Sequence, residues 1–522
     1  DVDNYQRGNI IGNYFQNNTT LGSFKGNVVG VFCGGNPEEG SYPNIFGSGF
    51  EGNNIGNNFY SNTIGNNSYF NNIENYFNGN TIGNNFYTNN IGNYFNGNTI
   101  VDNFYFNNIG EYFTNNNIAN NFNSNTTSNG FYSSTIGNYF GNNIIGDYFG
   151  DEGGNTIGVN FFGNNIGINF SNNNVGYDFQ NNTIENSFIN NTVAIEFTNN
   201  NIENSFRNNT IGNYFYYNNI GTNFSYNTMS DYFSYNTIGD SFYHNINIGD
   251  YFSYNSIGTD FAYNTIASGF GGDSDTFQRG NIIGNYFQNN TTLGTFRANT
   301  IGIFCGGSPE EGEHPNTFGN NFTDNNIGNN FGSNIIGNNF GGNTIGNNFR
   351  ANTIGDNFGD NSIKNTFYDN IIIDGFHNNN IGYNFIGNTI QYSFQYNIIG
   401  NDFQYNTIGN SFFNNTIANS FNNNTIGTNC HDNIIGNNFY SNIIGISCQY
   451  NNIGSAINGI TTIGFFNRNN INSTCIVGVN FTTATHVYAS YTKTISLNST
   501  GTASVLSYIN ASNVSVNTTV TS

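Results

Sequence analysis

Residues 325–360 read NNIGNNFGSNIIGNNFGGNTIGNNFRANTIGDNFGD, four consecutive copies of N-x-I-G-x-x-F-x-x. The frame runs from Ile327 to Ile453 without a slip, and all fifteen positions two residues before the Ile, from Asn325 and Asn334 to Asn442 and Asn451, are Asn. Ile327, Phe331, Ile336 and Phe340 follow one another at intervals of four and five. Apolar residues phase-locked in this way, with Gly and Asn between them, aim two side chains per nonad at one interior and place corners where those small residues tolerate them. Nine residues are too few to enclose a packed core, so two nonads per turn is the simplest closure. The fold expected is all-β: a parallel β-solenoid, or β-helix, of about 18 residues per coil, its coils hydrogen-bonded at about 4.8 Å. Identical residues then stack into Ile, Phe and Asn ladders, and stacked Asn amides donate and accept along the axis.

The same frame extends through the earlier part of the chain. It runs from Ile55 to Ile118 with Ser68 in one Phe position, continues through Ile136 and Ile145, shifts by three residues at Asp151-Glu152-Gly153, and resumes at Ile157. A larger repeat lies above it: QRGNIIGNYFQNNTTLG occurs at both 6–22 and 278–294. Each copy then meets an off-register insert, CGGNPEEG from Cys33 and CGGSPEEG from Cys305. These read as loops leaving the coil wall. The organisation expected is a first solenoid copy over 1–272 with an insert near 33–45, a second over 273–457 with an insert near 305–317, and a C-terminal module over 458–522. In that last segment the nonads give way to alternating Val, Thr and Ser, a β-rich pattern suited to capping or assembly. At about 25 coils the rod would be roughly 120 Å long.

Composition removes several function classes. With no Trp, one Met and Leu only at Leu21, Leu293, Leu497 and Leu506, no amphipathic helix can be assembled. Nine Lys+Arg against 31 Asp+Glu give a net charge of -22, which repels phosphate backbones, so no nucleic-acid partner is expected. No run of roughly 18 apolar residues exists, so no membrane insertion is expected. The start at Asp1 carries no basic-then-apolar leader, consistent with a processed or excised piece.

The nonads, closing on ATHVYASY from Ala484 and GTASVLSY from Gly501, resemble nonapeptide-repeat β-solenoid structural proteins of tailed phages and related environmental sequences. That resemblance implies a rigid structural or adhesive solenoid, extracellular or virion-associated, and carries over no catalytic residue. The period of nine is similar to that of the calcium-binding β-roll, whose G-G-x-G-x-D turn is not repeated here. Pentapeptide-repeat proteins resemble the chain in stacking Phe inside, with a period of five.

No catalytic set, cofactor site or metal site is expected. The five His are scattered without metal-ligand spacing, and the paired acids Glu38-Glu39 and Glu310-Glu311 read as solvated loop residues. Asp240, Asp250 and Asp356 in I-G-D turns would bind calcium weakly at most, where two stack. Cys430 and Cys448 each replace an interior Phe and are 18 residues apart, so they would stack as two thiols or close a disulfide. Tyr217, Tyr226, Tyr235, Tyr254 and Tyr263 occupy the second position after the interior Phe, and an 18-residue coil sorts them onto two edges as aromatic strips. Thr63, Thr81 and Thr99 alternate with Asn72, Asn90 and Asn108 in the position before the Ile, which sorts their hydroxyls onto one face. Three functions follow as expectations. The first is a non-enzymatic structural fibre that self-associates, head-to-tail into filaments or as a homo-oligomer. The alternatives are a glycan-binding adhesin or receptor-binding protein using the Tyr strips, and an ice-binding solenoid using the Thr face.

Overall fold

A computed structural model describes residues 6–36, 40–245, 248–267, 269–271, 280–306, 314–445, 448–454, 457–458, 462–471, 475–489, 494–500 and 513–519. The described residues contain strands, turns and bends and no helix. They fall into two compact units, Asp1–Ile257 and Gly258–Ser522.

Both units are parallel β-solenoids built on the expected 18-residue coil. In the first, Thr183–Ile189 lies parallel to Asn201–Arg207 with Ile184 opposite Ile202 and Phe188 opposite Phe206. In the second, Thr344–Arg350 lies parallel to Ser362–Tyr368 with Ile345 opposite Ile363 and Phe349 opposite Phe367. The intervening nonad, Thr353–Gly359, pairs instead with Ile371–His377, so alternate nonads build two interleaved stacks. Two nonads per coil is therefore the observed closure.

The corners explain the composition. Most nonads turn at two left-handed residues, the one before the Phe and the one two after it: Asn348 and Ala351 (φ 66° and 51°), then Asn357 and Asp360 (64° and 57°). Among residues with a Cβ, Asn and Asp visit this region most readily, which accounts for much of the Asn outside the core. The Gly that follows many of the interior Ile serves a different purpose. A Cβ on Gly346 would collide with the Asn329 side chain and come within 3.0 Å of the Gly328 backbone in the coil beneath, so the constraint there is close approach.

Inside, Phe rings form two columns. Within a column Phe358, Phe376 and Phe394 stack at 4.9 Å, and between columns Phe376 meets Phe367 and Phe385 edge-on at 5.6 Å. Both arrangements are favoured by the ring quadrupole, and each buried ring adds its transfer free energy. Ile345, Ile354 and Ile363 are likewise almost completely buried.

The irregularities are absorbed without breaking these columns. Cys305 takes a Phe position, opposite Phe287 on one side and Phe331 on the other. Phe318, in the next Ile position, supplies the missing volume: its ring lies 5.9 Å from Phe287 and 6.4 Å from Phe331. Cys33 and Phe46 make the same exchange in the first unit, where Phe46 stacks 6.0 Å from both Phe15 and Phe59. Such a volume-conserving swap is what a tightly packed core tolerates. The insert after Cys33 opens on a short antiparallel pair, Gly35–Asn36 with Gly40–Ser41, while 37–39 and 307–313 lie outside the described residues.

At the duplicated sequence, Phe261 lies opposite Phe287 and Thr265 opposite Thr291, so the copy at 278–294 docks in register on the nonads before it. From 458 onward the strands lengthen. Thr462–Ile471 pairs in parallel with Ile443–Ile444, Cys448–Gln449 and Asn452–Ile453, and Cys475–Ala489, Thr494–Thr500 and Asn513–Thr519 follow in turn.

Candidate functional site

The Asn ladder shows why that residue does not vary. The Asn325 backbone N–H and Nδ2 both donate to Asn343 Oδ1 at 3.0 Å, and Nδ2 also donates to the Phe296 carbonyl at 3.1 Å. Asn334 makes the same set to Asn352 and the Cys305 carbonyl. Each carboxamide thus satisfies its own donors and accepts two bonds from the adjacent coil, while almost wholly buried. Ile327, Phe331, Ile336 and Phe340 are buried beside it as expected.

Cys430 and Cys448 are directly opposite in parallel register. Cys430 is a buried free thiol, and the Cys448 side chain lies outside the described residues. Burial pushes the thiols of Cys33 and Cys305 well above the ordinary range, only partly offset at Cys33 by a hydrogen bond from Asn44.

The surface tyrosines sort onto two edges. Tyr217, Tyr235 and Tyr254 form one stack, at 5.0 and 4.5 Å. On the other edge Tyr226 stacks at 5.0 Å on His244. All five tyrosines sit at left-handed corners, with φ between 55° and 58°. Tyr217 is 57% and Tyr235 46% exposed, so the rings cover one another and leave their edges in solvent. Burial against its neighbours raises the Tyr235 phenol, with smaller contributions from Tyr254 and Tyr217. On the Thr face Thr63, Thr81 and Thr99 are in register and exposed, but Asn117 follows, and in the second unit Ile335 and Ile371 alternate with Thr353 and Thr389.

At the turns the backbone N–H groups of Asp250 and Asp356 each donate to a side-chain oxygen of the adjacent coil. Asp231 Oδ1 accepts the Asp250 backbone N–H at 2.9 Å, and the Asp356 N–H donates to Asn338 Oδ1 at 2.9 Å. Asp356 and Asp374 stand opposite one another. Among the described residues no group of three or more His, Cys, Asp or Glu side chains is placed to hold a metal ion, and no helix is long and apolar enough to cross a membrane.

A feature that the sequence reading did not single out lies at the three-residue shift. Tyr76, Tyr94 and Tyr112, each immediately before an interior Phe, stack at 4.8 and 4.9 Å. The next position in the column is Gly130, and beside it is a hollow of about 270 Å³ lined by Glu111, Tyr112, Tyr132, Tyr148, Asp151 and Glu152, together with Asn129 and Gly130. Burial raises the Tyr132 phenol, and the neighbouring Glu152 carboxylate, by its charge and by a hydrogen bond, raises it further. Reading every eighteenth residue of that column would have shown the missing ring. No protein-family model matches this chain, and no curated protein does.

Proposed function

We propose that the protein is a non-enzymatic structural component of a stiff fibre, extracellular or virion-associated, that grows by stacking one copy on another. The observation that carries this reading is the register at the duplicated sequence. The stretch repeated at 6–22 and 278–294 is stacking-competent, because at 278–294 it docks on the preceding nonads with Phe261 opposite Phe287 and Thr265 opposite Thr291. Parallel coils present the same hydrogen-bonding edge at each step, and such an edge recruits a further strand unless it is covered. The filament is a head-to-tail, open assembly in which each interface is equivalent.

Electron microscopy of the purified chain tests this. Filaments extending far beyond one subunit are expected, and deletion of 480–522 is expected to abolish them by removing the last parallel strands. Filaments unchanged by that deletion would eliminate the C-terminal strands as the joining surface, and only finite particles from the full chain would overturn the assembly reading.

The stack of the exposed Tyr217 and Tyr235 with the half-buried Tyr254 favours a second reading, in which the solenoid binds a glycan by stacking sugar rings on that edge. The triple variant Tyr217→Ser, Tyr235→Ser, Tyr254→Ser keeps residues that already occupy such corners, as Ser61 does at φ 56°. On a glycan array it is expected to lose at least about tenfold in signal while retaining its circular dichroism spectrum, since each lost aromatic stacking contact is worth roughly 0.5–1.5 kcal/mol. Equal signal from both proteins would discard this reading.

A further inference from the structure

The interrupted tyrosine column in the first unit is a built slot. Phe113, Phe131 and Phe149 remain in unbroken register behind it, so the column in front runs Tyr112, Gly130, Tyr148 with one rung missing. Tyr112 and Tyr148 are consequently two rungs apart, roughly 10 Å at the inter-strand spacing, and both line the hollow, which leaves room for one group of aromatic thickness.

The backbone alone does not demand glycine there. Gly130 has φ 86°, and Tyr76, Tyr94, Tyr112 and Tyr148 hold the same left-handed region at 65° to 68°. A Cβ on Gly130 would meet nothing nearer than Tyr112 Cδ1 and Tyr132 Cε1, each at the ordinary contact distance of 3.4 Å. Glycine leaves the space open. The coil is also modified at this place and nowhere else in the same way: Asp151-Glu152-Gly153 is the three-residue insertion, and it brings Asp151 and Glu152 to the slot beside Glu111.

We propose that the slot binds a flat organic cation, a guanidinium or amidinium group, sandwiched between Tyr112 and Tyr148 with Tyr132 at its edge and Glu111, Asp151 and Glu152 as counter-charges. Tyrosine faces attract cations through the ring quadrupole. A guanidinium is planar, weakly hydrated and able to pair bidentately with a carboxylate while it stacks. A neutral ring would gain the stacking without the charge, and an anion would be repelled by three carboxylates. With nine Lys+Arg against 31 Asp+Glu, this chain has few such cations of its own, so the ligand comes from outside.

The test is a titration of the full chain with benzamidine, followed by calorimetry and by the tyrosine ring signals in NMR. Saturable binding is expected, with the neutral isostere benzamide weaker by about tenfold to thirtyfold. Gly130→Tyr restores the missing rung and is expected to abolish binding while leaving the spectrum of the fold intact, and Glu152→Gln is expected to weaken it severalfold without filling the slot. Benzamide binding as well as benzamidine, or benzamidine binding undiminished in Gly130→Tyr, would overturn the proposal, as would no saturable binding of benzamidine. A guanidinium arrives either on a free small molecule or on an arginine of another chain. Acetyl-glycyl-arginyl-glycine amide distinguishes these: affinity at least equal to that of benzamidine assigns a peptide arginine, and affinity about tenfold lower assigns a free cation.

Discussion

Asn379→Asp is expected to destabilise the second unit by about 3–5 kcal/mol at neutral pH, because it places an unpaired charge in a buried hydrogen-bond chain. Asn379 is 1% exposed. Its Nδ2 donates to Asn397 Oδ1 and to the Phe358 carbonyl, both at 3.1 Å, while its Oδ1 accepts from the Asn361 backbone N–H and Nδ2. Aspartate keeps the accepting half and loses the donating half, so its second oxygen faces two acceptors. Burial and those acceptors raise the folded-state pKa of the new carboxyl above its unfolded value of about 3.9. A raised pKa means that protons favour the folded state. The penalty is therefore smallest below about pH 4 and grows as pH rises, until the folded-state pKa is passed. Urea unfolding of wild type and variant at a series of pH values measures this. Asn379→Ser is the milder comparison, since Ser134 already stands in the ladder and accepts the Asn116 N–H at 3.2 Å. A penalty independent of pH would show that the cost is steric and that the ladder's polarity is incidental.

The second large effect is expected from Phe376→Ala, at about 3–5 kcal/mol, the sum of lost transfer free energy and an unfilled cavity. Phe376 is 0% exposed and packed between Phe358 and Phe394, with Phe367 and Phe385 edge-on. The hole would be apolar and dry, and of a shape that accepts benzene. Benzene is therefore expected to raise the unfolding midpoint of the variant and leave that of the wild type unchanged. Because each coil contacts only its neighbours, the loss stays local. Hydrogen exchange is expected to quicken at the amides of residues 358–394 and little elsewhere, and uniform acceleration along the unit would contradict the nearest-neighbour picture.

Much of this architecture is legible without coordinates because the constraint is repeated. A single Ile or Phe says little, but Ile327, Phe331, Ile336 and Phe340 in a frame that persists to Ile453 leave one way to bury every apolar residue. The 18-residue coil, the register of Cys430 with Cys448 and the division of the surface tyrosines between two edges all follow from that count. The invariant Asn was legible as a structural requirement, although its four hydrogen bonds were not.

What lay beyond the sequence is whatever depends on volume or on local departure from the period. Cys33 and Cys305 read as the first residues of loops, yet each occupies a Phe position, and Phe46 and Phe318 fill the space they leave. That exchange is invisible to a pattern of apolar positions because both partners remain apolar; only packing distinguishes a small residue beside a large one from two residues of ordinary size. The same holds for the slot at Gly130. Counting in eighteens shows a ring missing from the tyrosine column at Gly130, but that gap becomes a slot only when Tyr112 and Tyr148 both line it and the insertion brings Asp151 and Glu152 alongside. Periodicity along the chain determined the coil and its core, because burial repeats with the chain. The tertiary structure decided where the surface opens, because a cavity is made by neighbours that are adjacent only after the coils have stacked.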